Sequence, residues 1–88
     1  MKRWTVSIYI DESEGDRRTR AEARLHTGDD THLVGVGTAK RNPDDRAVPE
    51  IGDELAVARA LSELSHLLLQ AAADDVAAIT HTRVQLHE

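Results

Sequence analysis

From the N-terminus, apolar and polar positions first alternate. In "RWTVSIYI" (residues 3–10), Trp4, Val6, Ile8 and Ile10 fall on one side, and Arg3, Thr5, Ser7 and Tyr9 on the other. This is the two-residue period of a strand with one covered face. The polar run "DESEGD" (11–16) predicts a loop. "RRTRAEARLHT" (17–27) alternates again, setting Thr19, Ala21, Ala23 and Leu25 against Arg18, Arg20, Glu22, Arg24 and His26. "TGDD" (27–30) predicts a two-residue hairpin with Gly28 at a position needing positive φ, and "HLVGVGTAK" reads as a third strand. A Gly28-Asp29 turn sets Ala23 opposite Val34 and Ala21 opposite Val36. Pairing Ile10 with Arg17 sets Val6 opposite Ala21 and Trp4 opposite Ala23. All three apolar sets then share a face, which a one-residue slip would undo. The expectation is a three-stranded antiparallel meander over residues 1–41.

"NPDD" (42–45) predicts a type I turn with Pro43 at its second position. Beyond it the period changes from two residues to that of a helix. Pro49 suits a first helical position, and Glu50, Asp53 and Glu54 complement the positive end of the helix dipole. Because acids already occupy that niche, a phosphate site there is not expected. Ile51, Leu55, Ala58, Leu61 and Leu68 mark one apolar stripe, and Val57, Ala60, Leu64, Leu67 and Ala71 a second beside it. A main helix is expected over 48–73. At ~1.5 Å per residue it is roughly 33 Å long, longer than a typical strand of ~17–20 Å. Its apolar surface exceeds a single stripe. The excess calls for a cover, either a second copy of the chain or the C-terminal segment folding back. Val57, Leu64 and Leu67 are the candidate dimer contacts. "ADDVAAIT" reads as a short second helix capped by Asp74, and "HTRVQLHE" as a strand or a disordered tail. The fold class is α+β, β-β-β-α-α, in a single domain over 1–88 with a short helix and tail over 74–88.

The register assigned to the second hairpin places Gly35 and Gly37 on the outer sheet face, among Arg3, Arg18, Arg20 and Arg24. Glycine in a strand costs stability but lets another chain or ligand approach closely. These six residues form the candidate interaction face; a local twist or bulge with arginines lying over it is the alternative. The G-V-G lies mid-strand without a third glycine opening a helix, so it is not a dinucleotide fingerprint.

Composition narrows the chemistry. Eighty-eight residues suffice for one small core, and with no Phe, one Trp and one Tyr that core is aliphatic. Cysteine is absent, which removes disulfides, thiol chemistry and cysteine-ligated zinc and suits a reducing compartment. The N-terminus lacks a signal-peptide pattern, and no run approaches the ~20 apolar residues of a membrane span, so a cytoplasmic location away from membranes is expected. Residues 1–41 hold eight Lys/Arg and seven Asp/Glu, and residues 42–88 three and nine. The first part therefore carries +1 and the second −6, an asymmetry able to guide association. His26 and His32 flank the hairpin but are assigned to opposite faces, so no metal site is expected. Ser62 and His66 share a helix face without an acid to orient them. Asp29-Asp30, Asp44-Asp45 and Asp74-Asp75 sit where turns and caps use aspartate. No enzyme, catalytic residue or cofactor is expected.

The run "VGVGTAKR…P…VPEIGDELAVARAL", with the preceding "RTRAEARL", resembles a small actinobacterial family of uncharacterised proteins, some induced in hypoxic dormancy. The resemblance implies a β-β-β-α fold similar to double-stranded-RNA-binding domains, a homodimer, and a likeness to ribosome hibernation-promoting factors. It brings no catalytic residue. The expected function is therefore that of a dimeric, non-enzymatic accessory protein of stress or dormancy. The alternative is a ribosome- or RNA-associated factor working through the arginine face, with the ribosome or a ribosomal protein as partner. RNA is the weaker partner, because only Tyr9 is available for base stacking and the helix start is acidic where a double-stranded-RNA domain carries lysines.

Overall fold

The computed structural model describes residues 1–13, 15–29, 32–42 and 48–86, with side chains described as far as residue 80. Three strands, β1 (Thr5–Ser13), β2 (Arg18–His26) and β3 (Val34–Lys40), are followed by one helix, α1 (Pro49–Leu86). The sheet is antiparallel in the order β1-β2-β3. The expected turn at "NPDD" lies outside the described residues beyond Asn42.

Both hairpins close differently from the sequence expectation. In the first, Asp11, Glu12 and Ser13 continue β1 instead of looping out, and Arg17 belongs to the turn, with φ +52°. Ile10 therefore pairs with Ala21, Ile8 with Ala23 and Val6 with Leu25. The shift from the expected pairing is four residues, an even number, so the same side chains still share a face. In the second hairpin the shift is one residue: Ala21 pairs with Gly37 and Ala23 with Gly35. Gly28 takes the expected positive φ, +85°. However, the bond from Leu25 N–H to the Leu33 carbonyl (2.9 Å) shows that the connection is longer than a two-residue turn.

The one-residue shift reverses β3. Gly35, Gly37 and Ala39 face the same side as Ala21, Ala23 and Leu25, while Val34 and Val36 turn outward. α1 lies on that glycine–alanine surface, over β3 and β2, and barely touches β1. A Cβ built on Gly37 would collide with the Ala56 carbonyl and the Ala60 amide, and one on Gly35 with the Ala60 carbonyl and the Leu64 amide. The helix backbone thus rests directly on the strand. Ala56 and Ala60, one turn apart, supply the flat underside this requires. The core is correspondingly small: Ala21, Ala23, Leu25, Ala39, Ala56, Ala60 and Leu64, with Leu33, Val57 and Leu68 packed against it.

The expected second helix is absent as a separate element, because α1 runs through Ala73 and Asp74 to Leu86 without a break. "AAADDVAA" contains neither Gly nor Pro, and helix propensity carries Asp74 as an interior residue rather than a cap. The tail as far as Leu86 is helix rather than strand or disordered chain; His87 and Glu88 lie outside the described residues. At ~1.5 Å per residue the 38 residues of α1 span roughly 57 Å, about twice the reach of the strands. The molecule measures 65 × 27 × 18 Å. Its radius of gyration is 18.2 Å, against about 12 Å for a compact chain of this length. Ala72 through Thr80 are all exposed, including Val76 and Ile79.

Candidate interaction surfaces

The outer face of the sheet carries Arg18, Arg20, Glu22, Arg24 and His26 from β2. Beside them lie Ser7, Tyr9 and Asp11 from β1, and Val34, Val36 and Thr38 from β3. The strand period places Arg20, Glu22 and Arg24 side by side. Arg20 Nη1 donates to Glu22 Oε1 (2.8 Å), while Arg24 Nη2 and Nε donate to Oε2 (2.7 and 3.1 Å). The hydrogen bonds from Arg20, then those from Arg24, hold the Glu22 carboxyl below its ordinary value, and Glu22 in turn raises Arg24. The Arg24 guanidinium also lies 4.4 Å from the centre of the Tyr9 ring, within cation–π range. His26 Nε2 and Ser7 Oγ are 3.1 Å apart. This face is thus a linked array in which one glutamate organises two arginines, one of them stacked on the sole tyrosine.

Of the expected interaction face, Arg18, Arg20 and Arg24 lie together here, and Arg3 is exposed just before β1. Gly35 and Gly37 do not belong to it. They are buried beneath α1 on the opposite side, so the close approach they permit is to the protein's own helix. Among the expected dimer contacts, Leu64 is a core residue, 3% exposed, and is not available to a partner. Val57 and Leu67 are half-buried, with Val57 packed against the core.

The helix side of the sheet holds a surface that the alternation of β1 predicts to be covered. Val6, Ile8 and Ile10 point toward the helix layer, but α1 sits over β2 and β3 and leaves them 42%, 38% and 43% exposed. The signal was present in side-chain size. A helix seats deepest on small residues, and those belong to β2 and β3, whereas β1 offers Val and Ile. Arg59 marks the opposite flank of α1, where its Nη1 donates to the Thr38 carbonyl of β3 (2.7 Å). Leu61, about 200° further round the helix, is exposed on the flank toward β1. Ser62 and His66 line a shallow groove with Arg59, Glu63 and Leu67. Among the described residues no group of three or more His, Asp or Glu is placed to hold a metal ion, and no helix is long and apolar enough to cross a membrane.

A family model described as Rv2632c-like matches residues 2–85. The chain belongs to the Rv2632c-like family. Among its relatives, the uncharacterised protein Mb1767 of Mycobacterium bovis is 54% identical over 86 residues, covering 98% of this chain and 88% of that protein. Rv2632c of Mycobacterium tuberculosis, also uncharacterised, is 46% identical over 80 residues, covering 91% and 85%. The crystal structure of Rv2632c superposes with a TM-score of 0.81 at 43% identity, covering 92% of this chain and 93% of that one. The Rv2632c-like fold is therefore three antiparallel strands and a long helix, in a family whose function is unknown.

Proposed function

We propose that this Rv2632c-like protein is a homodimeric, non-enzymatic accessory protein of the cytoplasm that acts by binding, in a stress or dormancy setting as its family resemblance suggests. The reading rests on how little of β1 the helix covers. A 9.7 kDa chain that leaves Trp4, Val6, Ile8 and Ile10 exposed in one row, beside a helix overhanging its own sheet, has more apolar surface than it can bury alone. A second copy is the simplest cover, since each supplies the same surface to the other. In sedimentation velocity at micromolar concentration the protein is expected to run at twice its chain mass; a monomer across that range would reject the reading.

A second reading is favoured by the outer sheet face. Arg18, Arg20 and Arg24 lie on one flat surface with Tyr9, as an RNA- or ribosome-associated factor of dsRBD-like fold would use them. Glu22 partly neutralises that surface. Filter binding to ribosomal subunits distinguishes the two readings. A salt-dependent complex lost in the Arg18, Arg20 and Arg24 to Ala variant supports the second; no binding at low salt leaves the first.

A further inference from the structure

We infer that two copies join through the outer edge of β1, antiparallel about an axis at Ser7, making one continuous six-stranded sheet. The inference rests on the dimeric reading above and names its interface.

The two edges of the sheet are not equivalent. At β3 the Arg59 guanidinium takes the Thr38 carbonyl, and a side chain on a strand's polar groups is one way an edge is blocked. β1 is nine residues long, contains no proline, and is barely touched by the helix. Every second residue of β1 turns its N–H and C=O away from β2, which is the template for strand addition.

The sequence of β1 and its lead-in, "MKRWTVSIYIDES", chooses the orientation and the register. Basic residues come first, Lys2 and Arg3, and acidic ones last, Asp11 and Glu12. Antiparallel pairing about Ser7 sets Arg3 across from the partner's Asp11 and Lys2 across from the partner's Glu12. In the same register Trp4 meets the partner's Ile10, Val6 the partner's Ile8, and Thr5 the partner's Tyr9. All these pairs keep their faces, because the paired numbers share parity. Moving the axis to Ile8 sets Trp4 against the partner's Glu12 and separates Arg3 from the partner's Asp11. Opposite charges facing across neighbouring strands favour a pairing and like charges oppose it. Arg20, opposite Asp11 within the chain, then completes an Arg–Asp–Arg row across the junction. On the helix side each apolar side chain of β1 then lies beside an apolar side chain of the partner, so each row covers the flank of the other.

The absence of cysteine makes the register directly testable. With Ser7→Cys as the sole thiol, mild oxidation is expected to give a covalent dimer on a non-reducing gel, and Thr38→Cys on the blocked edge is expected to give none. Independently, Arg3→Asp and Asp11→Arg are each expected to weaken dimerisation about tenfold, and the double exchange to restore it to within about threefold. A dimer that neither cross-links through position 7 nor responds to the charge exchange overturns the β1 edge while leaving the dimeric reading intact; this is the expected pattern for packing through the apolar faces alone. A monomeric wild-type protein rejects both.

Discussion

At the scale of single residues, two glycines and one glutamate carry the most consequence. Gly35 and Gly37 are where the helix backbone meets the strand, so any side chain there displaces main chain rather than a flexible group. Gly37→Ala is expected to destabilise the fold by about 3 kcal/mol, read from a denaturant midpoint. Gly15→Ala is the control. Nothing lies within contact distance of a Cβ there, and the expected change is under about 0.5 kcal/mol. Glu22 governs a pH dependence. Its folded value is depressed by the hydrogen bonds from Arg20 and Arg24. The stability it contributes is therefore present above the unfolded carboxylate value, about 4.3, and is lost as pH falls through the lower folded value. The gap between wild type and Glu22→Gln is expected to be widest near neutrality and to close below about pH 4. A gap that stays constant across an acid titration of thermal stability would remove Glu22 from that role.

At the scale of elements, the strands and the helix were legible because each period is uninterrupted, and the turns were not. Whether "DES" ends a strand or starts a loop depends on three polar residues that suit either. That ambiguity moved the first hairpin by four positions without changing any face. The second hairpin moved by one, which exchanged Val36 for Gly37 beneath the helix. Period-two reasoning favours Val for the buried face, because it weighs apolarity; close helix seating favours Gly, because it weighs size. The pattern predicts a shorter helix because Asp74 suits a cap, whereas the surrounding alanines carry α1 through it to Leu86. The overhang can be removed without touching the core, which ends near Leu68. A chain stopped after Ala73 is expected to keep its denaturant midpoint within the equivalent of about 1 kcal/mol, while circular dichroism loses the helical signal of the missing turns. A large fall in stability would show that the projecting part of α1 packs on something.

At the scale of the whole molecule, the arginines of the sheet and the acids of the helix occupy different surfaces. The outer sheet face gathers arginines around one glutamate, the helix exterior displays Glu50, Glu54, Glu63, Asp74 and Asp75 together with Ile51, Leu55 and Leu69, and the β1 row is apolar and uncovered. The strand period places Arg18, Arg20 and Arg24 on one face, and the acidic character of the second half is plain in the residue list, because exposed charge is visible in the sequence. The helical pattern predicts excess apolar surface on the helix, and Ile51, Leu55 and Leu61 of α1 are exposed, but the named contacts Val57, Leu64 and Leu67 are half-buried or buried, and the bare β1 row is not predicted. Which of several apolar rows stays exposed depends on where the helix comes to rest, and that is decided by the fit of one element on another. The family relationship describes the same architecture, and the partner surface follows from what that architecture leaves bare.

The contact between α1 and β3 constrains which sequences can share this shape. Because main chain touches main chain, the helix is selected by profile rather than by greasiness. A strand bearing G-x-G needs a helix bearing A-x-x-x-A, and the spacing from Gly37 to Ala56 must let the chain turn back across it. Substitutions elsewhere in the core can trade one aliphatic group for another, but these four positions are a lock and its key written into a single chain, so drift at one half is tolerated only while the other half stays slim.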